Sequence, residues 1–127
     1  MDPPHLLKCF RNNFLKYDIE YTQEIKINDI PIKGVAKWSH IKEFYEKDNA
    51  NPNFVFAPAL TKQHIEPNFK QKMKVSLACQ VLSHSVAAGM FAKIANNQLP
   101  QEATATAIVI EKMDKLFDSL NGDTPDL

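Results

Sequence analysis

The chain has 127 residues, of which 44% are apolar and 24% are charged, the composition of an ordinary globular domain. Fifteen basic and fifteen acidic residues give a formal net charge of zero, which excludes a positive field over the whole surface, so any contact with nucleic acid must be local. The two cysteines form neither a CxxC pair nor a disulfide framework, and neither a signal peptide nor a transmembrane run is apparent, so we expect a soluble intracellular protein.

The first predicted elements are an amphipathic helix and a β-hairpin. Pro3 and Pro4 can occupy the first positions of the helix, and apolar side chains recur at helical spacing up to about Tyr17. The segment from Tyr21 to Trp38 is rich in Ile and Val and has Asn-Asp between two roughly alternating runs, which predicts a short hairpin. Pro31 lacks a backbone N–H, so we expect this hairpin to lie at an edge.

Shorter helices are predicted in the middle of the chain. Ser39 is expected to cap a helix that carries Ile41 and Phe44 on one side, and Thr61 is expected to cap a further helical turn. Between them, the segment from Asn51 to Pro58 contains prolines and phenylalanines, which indicates an extended connection anchored to the core.

The strongest helical pattern is predicted from about Lys72 to Ala95, as one continuous central helix. Its stripe consists of Phe69, Met73, Leu77, Val81, His84, Ala88 and Phe91. A last helix after Pro100 carries apolar residues from Ala105 to Leu120 on one face and is expected to end at Asn121. These elements predict one mainly α domain with one small β-hairpin.

Familiar catalytic motifs are missing from the sequence, which has no Walker loop, GxSxG, HExxH or glycine-rich dinucleotide turn. His5 and Cys9 lie one helical turn apart, but structural zinc usually takes four ligands. His84 is expected to be a hydrogen-bonded structural histidine. Spacing therefore nominates no enzyme.

Two groups of residues leave alternatives open. Lys70, Lys72 and Lys74 lie near a predicted helix start, where they could contact phosphate or form a solvated cluster. Phe117 and Asp118 could supply a stacking ring and a carboxylate that accepts both edge donors of a guanine, or Phe117 could simply belong to the core.

Three strings in the chain resemble segments of one protein family. The string DPPHLLK at residues 2–8, followed by RNN at 11–13, is similar to the DPPHLxKxxRNN segment of P-element and THAP-domain DNA transposases. Residues 72–89 resemble the KMKVxLAxQVLSxSVAxG signature of the GTP-binding insertion domain of this family, and residues 116–121 resemble its FDxxN segment. The resemblance covers nearly the whole chain.

The resemblance implies a division into two parts. Residues 1–17 would be the strand end and helix left from an RNase H-like catalytic core, and residues 18–127 would be a C-terminally truncated GTP-binding insertion domain. Asp2 matches the second of three acidic residues that hold divalent metal ions such as Mg²⁺. Because a two-metal site needs all three carboxylates, we expect this chain alone to be catalytically incomplete and Asp2 to be vestigial.

The resemblance also implies a nucleotide pocket. Phe117 would lie against the guanine face and Asp118 on its Watson–Crick edge, with Asn121 nearby on the same helical face. Lys74 and the backbone of Val75 would lie beside the nucleotide. Further expected contacts are Ser83, two turns along the same helix, and Lys62. GTP is expected to be bound as a structural cofactor and not hydrolysed.

The implied function is a guanine-nucleotide-binding module that takes part in DNA transposition. Transposon-end DNA would be a partner only in a full-length transposase. The resemblance also implies a nuclear location and no membrane partner. An alternative is a domesticated or decaying remnant that acts as a helical protein-interaction module and self-associates through exposed apolar surface. A third interpretation, an active transposase subunit, requires the missing carboxylates to come from another chain.

Overall fold

The computed structural model describes residues 3–27, 30–51 and 53–120. In chain order, the described elements are α1 (Pro3–Lys16), β1 (Ile19–Ile27), β2 (Ile30–Ala36), α2 (Trp38–Asp48), α3 (Lys62–Ile65), α4 (Phe69–Lys72), α5 (Val75–Val81), α6 (His84–Ala95) and α7 (Ala103–Leu120). The predicted class, mainly helical with one β-hairpin, is confirmed.

The hairpin pairs β1 and β2 antiparallel, with an irregularity in register between Gln23 and Lys26. The predicted Asn-Asp turn at residues 28 and 29 lies outside the described residues. β2 lies directly on α7, and a Cβ added at Gly34 would be only 2.5 Å from the Cβ of Ala105. Glycine at position 34 therefore permits the close approach of strand and helix.

One hydrophobic core joins the helices. It includes Leu7 and Phe14 of α1, Phe44 of α2, Met90 of α6 and Ile110 of α7, all at most 2% exposed. The predicted first helix thus packs into the same core as the rest of the domain, and the proposed boundary at residue 17 stays a prediction.

The prediction of one continuous helix from Lys72 to Ala95 is wrong, because the segment is divided among α4, α5 and α6. The break between α5 and α6 follows from Ser83, whose backbone is extended (φ −125°, ψ 159°) and whose hydroxyl accepts a hydrogen bond from the Val86 N–H. A serine in this position satisfies a backbone donor that a new helix leaves free, so a helix start competes with continuation.

The same segment also tests the expectation that the sequence contains no transmembrane run. Val75–Ala95 is long and apolar enough to span a membrane by length and composition alone, with a mean hydropathy of 1.4, so that expectation was wrong. However, 44% of the window is buried inside the domain, where α6 packs against α7. The hydropathy therefore fits a core segment.

The expected cap at Ser39 is also wrong. α2 begins at Trp38 after Lys37, and no side chain caps it. Instead, the Lys37 N–H donates to the Thr106 hydroxyl on α7 at 2.9 Å, so a tertiary contact positions the residue before the helix. In contrast, Thr61 precedes α3 as predicted, and its N–H donates to Nδ1 of His64 at 2.9 Å.

Candidate functional site

The start of α6 and the last turns of α7 lie side by side. Burial raises the pKa of the Asp114 carboxyl, and the negative charge of Asp118 raises it further. The imidazole and the backbone N–H of His84 act in the opposite direction. Asp114 and Asp118 are one turn apart on α7, and His84 directly follows the capping Ser83. Two of the predicted site residues, Ser83 and Asp118, are therefore neighbours of the same Asp114 carboxylate.

Phe117 occupies a neighbouring position on α7 but faces α1. Its half-buried ring packs against the core and helps to line an apolar groove of about 410 Å³ between the two helices. The other residues that line this groove are Leu6, Leu7, Cys9, Phe10, Met113 and Leu116. The side chain of Asp118 is exposed. A ligand that touches both residues must therefore lie over the outer edge of α7.

The other predicted site residues lie on separate elements. Lys74 is exposed and immediately precedes α5, and half-buried Val75 is the first residue of that helix. Ser83 belongs to the start of α6, so it does not share a helix with Lys74 as expected; α5 spans about 10 Å between them at 1.5 Å per residue. Lys62 is exposed in the first turn of α3.

Two predicted residues, Asp2 and Asn121, lie outside the described residues. Within the described part of the chain, no group of three or more His, Cys, Asp or Glu side chains could hold a metal ion. His84 is exposed at the start of α6, so the expectation that it is a structural histidine on the apolar side of one continuous helix is wrong.

Sequence reasoning missed a second histidine, which is buried. His40 is 8% exposed, and its Nδ1 lies 2.7 Å from the Thr106 hydroxyl. Burial lowers the pKa of His40, and the nearby Glu43 carboxylate acts against that effect. Its ring also helps to line a mostly apolar cavity of about 600 Å³ between the end of β2 and the first turns of α7. No local sequence signal indicates this contact, because residues 40 and 106 are far apart in the chain.

Asp114 was also missed, although a signal for it exists. It lies four residues before Asp118, the spacing at which two helical side chains are neighbours. Two buried charged residues, Arg11 and Asp48, had no comparable signal. Arg11 is completely buried and Asp48 is 1% exposed.

The chain is similar to one known protein family and to one solved structure. The family model described as the TNP-like, GTP-binding insertion domain matches residues 4–126. Among solved structures, the chain is similar to the Drosophila P element transposase strand transfer complex, with 25% sequence identity and a TM-score of 0.71. This match covers 92% of the present chain and 24% of the transposase chain. A search of the curated proteins found no match.

Proposed function

The chain belongs to the family of TNP-like, GTP-binding insertion domains, and from that premise we propose that it is the guanine-nucleotide-binding module of a P-element-like transposase. It spans about a quarter of the similar transposase chain, so participation in DNA transposition belongs to the proposal. The nucleotide acts in it as a structural ligand that is bound and not hydrolysed.

The observation that carries the proposal is that Ser83 and Asp118 are both neighbours of the Asp114 carboxylate where α6 begins, while Phe117 directly precedes Asp118 on α7 and faces α1. An ionised carboxylate only accepts hydrogen bonds, and guanine presents two adjacent donors, N1–H and the 2-amino group, on its Watson–Crick edge. Adenine lacks such a pair. The exposed carboxylate of Asp118 therefore suits guanine, and the accessible part of the Phe117 ring suits the face of the base.

The phosphates have candidate partners on other elements. Exposed Lys74 and the backbone of Val75 begin α5, and exposed Lys62 lies in α3. Lysine ammonium groups contact phosphate oxygens as point charges. Because the described residues contain no cluster of metal ligands, we assign Mg²⁺ no protein site there; when bound, it would neutralise phosphate charge.

The first experiment is a thermal unfolding scan with GTP, GDP or ATP, each with and without Mg²⁺. A ligand at about 100 times its Kd should add roughly 2.7 kcal/mol of stability. We expect an increase in Tm with the guanine nucleotides and none with ATP. Equal shifts with ATP, or no shift in a folded sample, would contradict the proposal.

A specificity change tests the role of Asp118 directly. Xanthine has a carbonyl where guanine has its 2-amino group, so the amide N–H of Asp118→Asn can donate to it. We expect this variant to lose the response to GTP and to gain one to xanthosine triphosphate. Glu111→Gln, on the same helix, is the matched control and should keep the response to GTP.

The apolar groove between α1 and α7 favours a second candidate function, a helical protein-interaction module. Leu6 is 44% exposed and Leu116 is 48% exposed at this groove. An interaction module predicts self-association that increases with concentration, measured by sedimentation equilibrium. It also predicts that Leu116→Glu abolishes self-association and that nucleotides have no effect on Tm. A monomer at every concentration would exclude self-association as this module's function.

The setting of the whole protein is proposed from the family. We propose a nuclear protein whose full-length form acts on transposon-end DNA, while strand transfer requires catalytic carboxylates beyond Asp2. The chain by itself should then show no strand transfer on a transposon-end oligonucleotide with Mg²⁺. Product formed by the isolated chain would overturn this part of the proposal.

A further inference from the structure

Although the net charge is zero, the acidic residues are unevenly distributed along the chain. There is no acidic residue between Asp2 and Asp18, and none between Glu66 and Glu102. These two stretches contain α1, α4, α5 and α6. The acidic residues instead lie in the remaining elements and connections, so the region where α1, α4 and α5 meet is built from segments without carboxylates.

The lysines of these segments form one surface, because the end of α4 rests on α1. The Lys72 carbonyl accepts hydrogen bonds from Arg11 Nη2 at 3.1 Å and from Asn12 Nδ2 at 3.2 Å. Lys8 and Lys16 are each four residues from Asn12, so they lie on the same side of α1. We call this surface the basic face, and it comprises Lys8, Lys16, Phe69, Lys70, Lys72, Met73 and Lys74.

Five ion pairs join lysines to carboxylates in the described part of the chain, and none of these pairs includes a lysine of the basic face. Beneath the face, Arg11 is completely buried and its bonded partners are the neutral oxygens of Asn12 and Lys72. Its Nη1 has no hydrogen-bond partner. Burial lowers the pKa of Arg11. An anion bound to the basic face would compensate the positive charge of Arg11 and also the charges of the lysines.

An exposed aromatic ring lies on the same short helix as two of these lysines. Phe69 is 83% exposed, and Met73, one turn later, is 55% exposed. The backbone beneath them is held by a reciprocal pair, in which the Gln71 N–H donates to Asn68 Oδ1 at 2.8 Å and the Asn68 N–H donates to Gln71 Oε1 at 2.9 Å. The ring is therefore presented on a fixed backbone next to free ammonium groups.

We propose that the basic face binds single-stranded nucleic acid, with the lysines contacting phosphates and Phe69 stacking on an unpaired base. Cationic grooves combined with exposed aromatic rings are the features that proteins use for single strands, because every base has a face on which a ring can stack. A duplex keeps its base faces inside the stack and offers the ring only base edges. The face should therefore prefer a single strand to a duplex. The basic face is distinct from the proposed guanine contacts on α7, although both assignments include Lys74.

The test is fluorescence anisotropy with a labelled oligodeoxythymidine of about 12 nucleotides and with a duplex of equal length. We expect the single strand to bind more tightly than the duplex and the affinity to fall as KCl rises from about 50 to 200 mM. Phe69→Ala should weaken binding of the single strand by about 5-fold to 150-fold, the range expected for loss of one stacked base, and leave duplex binding and the salt dependence unchanged.

Charge variants test the second half of the proposal. Lys70→Gln combined with Lys72→Gln should weaken binding and reduce the slope of log K against log salt by about 1.4, since each neutralised phosphate on a single strand contributes about 0.7. Lys115→Gln on α7, whose side chain is 73% exposed and pairs with Glu111, is the matched control and should change neither value. Circular dichroism confirms that each variant is folded.

Three results would overturn the proposal: no binding of the single strand at about 50 mM KCl, an equal effect of Lys115→Gln, or Phe69-dependent binding to phosphatidylserine vesicles without binding to the oligonucleotide. Asp118→Asn separates this proposal from the guanine site. It should leave the anisotropy unchanged while it alters the nucleotide-dependent Tm, so failure of one proposal is visible independently of the other.

Discussion

Asp48 and Lys93 form a buried ion pair between the end of α2 and the last turn of α6, with Nζ 3.7 Å from Oδ1. The Asp48 carboxylate also accepts hydrogen bonds from the N–H groups of Phe56 and Ala57 at 2.9 and 3.0 Å. The Lys93 ammonium lies 5.4 Å from the centre of the Phe56 ring. The pair therefore fixes the connection after α2 to two helices.

We predict that Lys93→Met destabilises the domain by about 3 kcal/mol, because it leaves a buried carboxylate without its counter-charge. Urea unfolding measures this change. Lys115→Met removes the exposed pair with Glu111 and should cost less than about 0.5 kcal/mol. Equal losses of unfolding free energy in the two variants would show that burial does not make the Asp48–Lys93 pair more important for stability than the exposed pair.

A second prediction concerns pH. Burial lowers the pKa of His40 below its usual 6.5, so at mildly acidic pH the unfolded chain binds a proton that the folded protein excludes. The free energy of unfolding should therefore be highest above pH 6.5 and fall as the pH decreases through that value. His40→Gln does not titrate, and the fall between about pH 7 and 5 should be smaller in this variant. If the free energy of unfolding falls equally with pH in His40→Gln, His40 is not the source of that fall.

A third prediction concerns the contact between β2 and α7. Gly34→Ala places a Cβ 2.5 Å from the Cβ of Ala105, and we expect a loss of about 1 to 3 kcal/mol from overpacking. Ala105→Gly removes the opposing methyl group and costs about 1 kcal/mol by itself in a helix. In the double variant the two losses should be less than additive, as a double-mutant cycle by urea unfolding measures. Simple additivity would mean that the strand has moved away.

A fourth prediction separates the structural and binding roles of Ser83. Its hydroxyl caps α6, so Ser83→Ala should cost about 1 kcal/mol of stability even without a ligand. Ser85→Ala, at an exposed position two residues later, is the control and should cost less than about 0.5 kcal/mol. If Ser83 also contacts the nucleotide, the GTP-dependent increase in Tm will shrink in Ser83→Ala alone. An unchanged increase would limit Ser83 to capping.

Element types could be predicted where a local pattern decides them. Helical spacing between Ala105 and Leu120 identified α7, and the alternating runs around Asn28 and Asp29 identified the hairpin. The division between α5 and α6 could not be predicted from the apolar stripe, which continues across Ser83. The stripe reports which residues face the core, and two consecutive helices can satisfy the same pattern.

The candidate site was only partly accessible to sequence reasoning. Phe117, Asp118 and Ser83 were named from the family resemblance, and their roles in binding stay predictions. Asp114 connects Ser83 with Asp118, but its importance depends on how α7 lies against the start of α6. The basic face likewise depends on the contact between Asn12 and the Lys72 carbonyl, which brings two acid-free segments together.

By itself, the sequence determined the family, the mainly helical class and the hairpin, because these follow from short motifs and from the periodicity of apolar residues along the backbone. The tertiary structure alone decided where α5 gives way to α6, which charges are buried and which lysines form one surface. Asp48 and Lys93, or His40 and Thr106, are distant in the chain, and only the packing of helices excludes water from them and brings their polar atoms within bonding distance.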